Sequence, residues 1–451
     1  MKIPNKPPDY REIIRNSKDS EFFKIALHNT SPVDHGGRYL HWDKLRYLKP
    51  PKDMTSELWW ALLKFSRIQL YKSLPVNNYK HNFRQGKLKY CITDKIYEEL
   101  HWFDKNAAGS LTIDEPVLNS HMKSSYMVSS LIEESITSSQ LEGAATTRKV
   151  AKKMLNEGRS PKNNSEQMIY NNYLAMQFIR ENKNESLTPE MIKELQSILT
   201  TKTLDDENDA GKYRLQDDDV RVVDNYTGET LFEPPPADQI EKRVIELCKF
   251  ANCKIKEKVF IHPVIRSIII HFLLAYIHPF IDGNGRTARA LFYWSMLKHG
   301  YWITEFISIS KIIKKSPAQY GNSFLYTETD ENDLTYFIDH QIKVIHKAID
   351  EFHNYVKKKV TEVKSLDNTL NNNPSIKKKL NHRQLTLIKH ALKHPGYNYG
   401  IQEHKNYHGI VYETSRKDLE SLAKIKFLRK TKIGKAFIYV SPVDLENRLK
   451  K

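Results

Sequence analysis

Apolar positions along the chain recur mostly at helical spacing. Val264 to Ile277 is almost wholly apolar, which predicts a helix buried on most of its surface. Thr287 to Lys298 predicts a second buried helix, carried by Ala288, Leu291, Phe292 and Trp294 to Leu297. Asp282-Gly-Asn-Gly lies between them, and its two glycines and asparagine favour tight turning, so the helix is expected to break there. Met127, Leu131, Ile136 and Leu141 mark an amphipathic helix over about 124–144 that ends at Gly143. Further helices are predicted over Asn164 to Asn182, from Thr188-Pro189-Glu190, from Thr55/Ser56 to about Tyr71, from about Asp238, and from Asp333 to about Lys358. Val220, Val222 and Val223, followed by Asn225 to Gly228, predict a short β-hairpin, and Pro234 to Pro236 stiffen its exit.

Near the C-terminus the pattern changes. Lys357 to Asn373 is charged and then Asn-rich, and Pro374 closes it, which reads as a linker. Three short helices follow, over Asn381 to Lys393, Ile401 to Tyr407 and Thr414 to Ala423. Phe427 to Tyr439 then mixes apolar and basic residues around Gly434, as two strands would. The predicted fold is mainly α, a helical bundle with a small β-hairpin. Its pieces are an N-terminal helical region (1–111), a central domain (112–356), a linker (357–374) and a C-terminal domain (375–451). Aromatic clusters such as Tyr39 to Tyr47 and Ser56 to Phe65 give the first piece a scaffold role.

Composition narrows the class. The chain has 451 residues, 39% hydrophobic and 28% charged, which are globular values and room for two to four domains. No run of eighteen apolar residues occurs, so no membrane contact is expected, and the start lacks the apolar segment of a signal peptide. Cys91, Cys248 and Cys253 make neither a disulfide framework nor a zinc site, and a cytoplasmic location fits. The net charge of +17 is uneven, because residues 376–451 hold eighteen Lys/Arg against six Asp/Glu. A basic C-terminal piece on a nearly balanced body points to an acidic partner, nucleic acid first.

The densest chemistry is His278-Pro-Phe-Ile-Asp-Gly-Asn-Gly-Arg-Thr-Ala-Arg289. Gly283 and Gly285 let backbone N–H groups come close to phosphate oxygens, and the helix that follows adds the positive end of its dipole. Asn284 can donate a hydrogen bond. Arg286 and Arg289 are three apart, near enough to share an anion. Asp282 in such a nest suggests Mg²⁺, held by one carboxylate plus phosphate oxygens. His278 is suited to take a proton at neutral pH. Together these groups describe nucleotidyl or phosphoryl transfer.

The stretch resembles the signature of the Fic family, His-Pro-Phe-x-(Asp/Glu)-Gly-Asn-Gly-Arg-x-x-Arg, at every position. The resemblance implies a Fic-type helical bundle that transfers AMP from ATP to a Ser, Thr or Tyr hydroxyl of a target protein or of the chain itself. In that setting His278 is the base and Asp282 the Mg²⁺ ligand. Gly283, Asn284, Gly285, Arg286, Thr287, Ala288 and Arg289 hold phosphates, while Phe280 and Ile281 anchor the loop in the core. Tyr320 lies where the family often places an aromatic residue near the adenine.

Three other stretches gain meaning from the same resemblance. Ser138 and Glu142, four apart on one helical face, match the family's inhibitory motif, (Ser/Thr)-x-x-x-Glu-(Gly/Asn). Glu142 would pair with Arg289 in the place of the ATP γ-phosphate. Val220, Arg221, Val222 and Val223 resemble the family's target-docking flap, whose strand edge can hold a target's backbone. The C-terminal piece is similar to the winged helix-turn-helix found in many Fic proteins. Thr414, Ser415, Arg416 and Lys417 would then face DNA, with Arg429, Lys430, Lys432 and Lys435 on phosphates. The alternatives are removal of AMP at the same site, another nucleotide donor, a protein-docking role for the C-terminal domain, and a DNA-binding regulator with a nucleotide-sensing core. A homo-oligomer is compatible with each of these.

Overall fold

The computed structural model describes residues 2–17, 26, 31–51, 54–76, 87–108, 120–224, 227–253, 260–371, 380–433 and 436–450. The chain divides into two compact units, residues 1–352 and 353–451.

The first unit is helical. Its N-terminal part holds α1 (Tyr10–Asn16), α2 (Trp42–Leu45), α3 (Ser56–Leu70) and α4 (Asp94–Ala107). Two short strands, β1 (Lys72–Ser73) and β2 (Lys89–Tyr90), pair between α3 and α4. After these come α5 (Ser120–Leu141), α6 (Arg148–Glu157), α7 (Asn164–Glu181) and α8 (Pro189–Thr200). The hairpin β3 (Val222–Val223) and β4 (Thr230–Phe232) leads to α9 (Ile240–Ala251), α10 (Pro263–Ile277) and α11 (Asn284–Lys298). Then α12 (Ile309–Lys314), α13 (Pro317–Thr329) and α14 (Thr335–Asn371) complete the run.

The core is the antiparallel-connected pair α10 and α11, which pack along each other with α9 beside α10 and with α5, α7 and α8 against α11. Helix α10 starts where its sequence says it should. Pro263 takes the first turn, and the His262 side chain accepts a hydrogen bond from Val264 N. Its apolar residues are buried on every side, including Val264, Ile265, Ile268, Ile269, Ile270, Phe272, Leu273 and Leu274. Full burial of each such side chain is worth about 1.5–3 kcal/mol, so this helix fixes the frame around it.

Helix α11 begins at Asn284, three residues earlier than the glycine pattern predicts. The turn needs only one glycine. Gly283 alone takes the left-handed conformation (φ 83°), and the Asn284 side chain closes the loop on the backbone of Phe280. Gly285 is helical. Phe280 is fully buried but Ile281 is 40% exposed, because adjacent side chains in so tight a turn cannot both face inward.

The N-terminal part belongs to the same compact unit as the helices after it and is tied to them by a buried polar network. Lys64 Nζ meets Asp330 Oδ1 at 2.9 Å, with both side chains almost fully buried. Arg67 donates to the Tyr336 hydroxyl, which donates to Asp330. The Tyr39 and Tyr71 hydroxyls both donate to Asp333 Oδ2, at 2.6 and 2.7 Å.

Helix α14 runs on to Asn371, through most of the stretch expected to be a linker. Residues 357–371 hold no Gly or Pro and many good helix formers, so the first strong stop is Pro374. The second unit has its own core of Leu387, Ile388, Leu419, Leu422, Leu428 and Tyr439. Its order is α15 (His382–Lys393), β5 (Asn398–Gly400), α16 (Ile401–His408), α17 (Tyr412–Lys424), β6 (Arg429–Ile433), β7 (Ala436–Val440) and α18 (Leu445–Lys450). The three strands form an antiparallel sheet in the order β5-β7-β6. A capping box at Asn381 and Gln384 starts α15, and the Asp418 carboxylate accepts from Asn381 and Arg383. Among the described residues no helix is long and apolar enough to cross a membrane.

Candidate active site

His278 ends α10 in the left-handed region (φ 49°), which turns the chain sharply out of the helix. Its Nδ1 lies 3.2 Å from Ala275 O, so Nδ1 carries the proton and Nε2 is left with a free lone pair. Burial lowers the His278 pKa below its ordinary value. The Ala275 carbonyl and Glu142 oppose the shift, and the Arg214 charge adds to it. The ring is therefore neutral, as a base must be.

The turn from Pro279 to Gly283 is held from three directions. Asn284 Nδ2 donates to Phe280 O and its Oδ1 accepts from Phe280 N, so this side chain closes the loop rather than reaching outward. Gln196 Nε2 donates to Asp282 O, while Gln196 Oε1 accepts from Gly211 N. Gly283 has no room for a side chain, since a Cβ there would stand 2.9 Å from Thr200 Cγ2. Thr287 Oγ1 returns to Gly283 O, and Ala288 is buried against the core. These contacts fix the start of α11, whose first N–H groups have no carbonyl within the helix to meet.

The two arginines have different surroundings. Arg286 is fully buried, with NH1 on Leu199 O and NH2 on Asp282 Oδ2, both at 2.8 Å. The Asp282 side chain is 48% exposed, so its other oxygen faces outward. Among the described residues no three ligating side chains gather around a metal. A single half-exposed carboxylate fits a cation that takes its remaining ligands from water and phosphate, as Mg²⁺ does. Arg289 is turned to α5. Its Nε donates to Ser138 Oγ and its NH2 to Ser138 O, both at 3.0 Å, and NH2 also donates to Glu142 Oε1 at 2.7 Å. Burial alone would raise the Glu142 carboxyl, but Arg289, with Arg286 and His278 beside it, holds the pKa below the ordinary value.

Gly285 shows how close this pair comes to the helix start. A Cβ built there would lie 2.3 Å from Glu142 Oε1 and 3.1 Å from Arg289 NH1. The structure thus brings His278, Asp282, the start of α11, Arg289, Ser138 and Glu142 to one place. Tyr320 stands behind Arg289 with its hydroxyl 2.8 Å from His271 Nε2. Burial pushes its phenol up to about 12 and His271 down to about 3, so both are neutral support for the arginine.

The hairpin packs on the last turn of α10, the helix that ends at His278. Val222 pairs with Phe232 and Val223 with Thr230, with a bulge between them, and Asp224 closes the turn on Thr227. Val223 is 45% exposed on β3, whose far side has no strand partner among the described residues. Arg221 pairs with Asp219, and Phe232 packs on Tyr276 with ring centres 5.2 Å apart.

Sequence reasoning passed over Arg214, Gln196 and Glu134. Each acts on a segment remote in the chain, and no local spacing signals it. Glu134, buried on α5, accepts from Ser308 Oγ at 2.7 Å, from Ser310 N at 3.1 Å and from Ser310 Oγ, at the start of α12.

In the second unit, Arg416 and Lys417 on α17 and Lys430 and Lys432 on β6 are exposed, while Thr414 is half-buried. Ser415 is fully buried and donates to Ile401 O, since the α17 face it occupies packs on α16, so it cannot face a duplex. Arg416 lies 3.5 Å from Glu420, which also pairs with Lys430. Lys435 falls outside the described residues.

Comparison with known proteins finds a family that part of this site resembles. Residues 186–296 match the family model described as Fic/DOC family. "Protein adenylyltransferase Fic" of Nematostella vectensis is 28% identical over 211 residues, which is 47% of this chain and 45% of the relative. "Protein adenylyltransferase fic-1" of Caenorhabditis elegans is 32% identical over 82 residues, 18% of this chain and 15% of the relative. The chain thus matches less than half the length of these curated relatives. Among solved structures, a Fic family protein from Desulfovibrio desulfuricans G20 aligns with TM-score 0.48 and 17% identity, over 77% of this chain and 95% of that one. Residues 186–296, which contain the stretch from His278 to Arg289, are thus similar to the Fic/DOC family.

Proposed function

We propose that the first unit is a protein adenylyltransferase held off by its own Glu142. In the reaction the target hydroxyl gives its proton to His278 Nε2 and its oxygen attacks the α-phosphate of ATP. A new P–O bond forms to the target, the bond between the α- and β-phosphates breaks, and pyrophosphate leaves. The start of α11 and Arg289 bind the phosphates. Asp282 would hold Mg²⁺, which when bound neutralises phosphate charge. Names borne by the curated relatives agree with this chemistry.

One observation carries the reading: a carboxylate sits so near the start of α11 that a Cβ on Gly285 would strike it, and Arg289 is bound to it. A carboxylate at an anion-binding helix start occupies the place a phosphate oxygen would take. ATP must displace it to gain Arg289. A hundredfold suppression requires only about 2.7 kcal/mol, within reach of one partly buried charge-assisted pair. Labelled ATP with Mg²⁺ tests the proposal: Glu142→Gly is expected to raise incorporation about a hundredfold, and Glu142→Gly with His278→Ala to abolish it. Equal labelling by wild type and Glu142→Gly would remove Glu142 from this role.

For the second unit we propose a winged helix-turn-helix that contacts DNA. Its order of helix, strand, helix, helix, strand, strand supports that reading, as does the basic face of Arg416, Lys417 and Lys432. Binding to random duplex should weaken steeply as salt rises, because counterions are released on association. A flat salt response would favour a protein partner.

A further inference from the structure

Arg214 is a buried arginine, 7% exposed, and among the described residues no ion pair to a carboxylate accompanies it. Its partners are backbone carbonyls. The Arg214 N–H donates to Pro279 O at 2.9 Å, its Nε donates to His278 O at 2.9 Å, and its NH2 donates to Pro235 O. Two of these acceptors lie in the turn that carries the base, and the third lies where the hairpin returns to the bundle. Burial lowers the Arg214 pKa, and the Asp218 carboxylate, too far away to pair with it, only partly opposes the shift.

Both ends of this bridge need holding. His278 is a non-glycine residue at φ 49°, a conformation that persists only when its surroundings fix it. Pro235 stands between two other prolines, so the segment has no N–H with which to anchor itself and is stiff enough to pass a displacement to Phe232. The guanidinium is a rigid fork whose donors point in different directions, whereas one ammonium could not meet both carbonyls in the same geometry.

We infer that Arg214 is a positioning residue that sets the distance between the hairpin edge, where a target backbone would lie, and the His278 imidazole. This rests on the transfer reading above, and it adds a specific residue through which docking and proton removal are kept in register. The Arg214 donors are spent on the carbonyls of His278, Pro279 and Pro235. Loss of Arg214 should therefore slow transfer while leaving nucleotide binding intact.

The experiment compares Glu142→Gly with Glu142→Gly/Arg214→Lys and Glu142→Gly/Arg214→Gln. Three quantities are measured on the full chain: single-turnover self-labelling with α-labelled ATP, the dissociation constant of α,β-methylene-ATP, and hydrogen exchange of the amides in 222–232 and 274–283. Transfer is expected to fall about a hundredfold in both double variants, the usual cost of misplacing reacting groups by about 1 Å. The analogue's dissociation constant should stay within about twofold, a factor small beside the tenfold that 1.4 kcal/mol represents. Exchange should rise in the hairpin and in the turn together. Unchanged transfer in Arg214→Lys overturns the inference, and so does a parallel loss of transfer and analogue binding, which would mark a merely structural arginine. If Glu142→Gly itself fails to label, the transfer reading falls, and the exchange data alone then decide whether Arg214 couples the two segments.

Discussion

Single residues at the site are placed by backbone accidents that chemistry then uses. His278 caps α10 in a left-handed conformation, donates through Nδ1 to Ala275 O, and keeps Nε2 free. Its lowered pKa has a visible consequence. A neutral imidazole is the active form, and protonation now requires a pH below the ordinary value of about 6.5. The acid limb of the Glu142→Gly turnover profile should therefore lie below about 6.5. A kcat profile with its acid limb at or above that value would contradict this electrostatic account. The motif from His278 to Arg289 was legible in the sequence because its groups are contiguous. What each side chain does was less so. Asn284 turns inward to Phe280 and Arg286 to Leu199 O, since a short loop must first satisfy its own backbone. Arg214 was illegible for a different reason, because its partner lies 64 residues away.

At the scale of elements, helix α5 is a lever that joins Arg289 to the start of α12. One end presents Ser138 and Glu142 to Arg289, and one to two turns earlier Glu134 grips the start of α12. Removing Glu134 strands the Ser308 and Ser310 donors in a buried site. Glu134→Ala should then destabilise the first unit by on the order of 3 kcal/mol. It should also raise basal labelling above wild type, as the helix loses the anchor that aims Glu142. Thermal melts and labelling of the same preparation check both, and a stability loss with unchanged labelling would free Glu142 from dependence on this anchor. The helices themselves were readable from periodicity and caps, Thr188-Pro189 and Thr55 among them. The helical form of residues 357–371 was not read because Asn-rich sequence outweighed their helix formers, which nothing interrupts before Pro374.

Across the whole molecule, the charge asymmetry seen in the sequence coincides with the division into units, yet the sequence split the first unit where the structure does not. The reason is the buried network of Lys64, Arg67, Tyr39 and Tyr71 with Asp330, Asp333 and Tyr336, which joins positions with no shared motif. Lys64→Met leaves Asp330 without its ammonium partner and should cost about 3–5 kcal/mol, measured by denaturant titration of the full chain. A cost below about 1 kcal/mol would mean the pair is solvated in practice. This network also bears on how the chain is made. Lys64 and Asp330 are 266 residues apart. At about 5–20 residues per second, a ribosome takes roughly 13–53 s to traverse that interval. Throughout that delay Lys64 lacks its Asp330 carboxylate and Arg67, though Pro32 O and Leu40 O are already made, lacks the Tyr336 hydroxyl. The buried network of the opening residues is therefore completed only once Asp330, Asp333 and Tyr336 have left the exit tunnel.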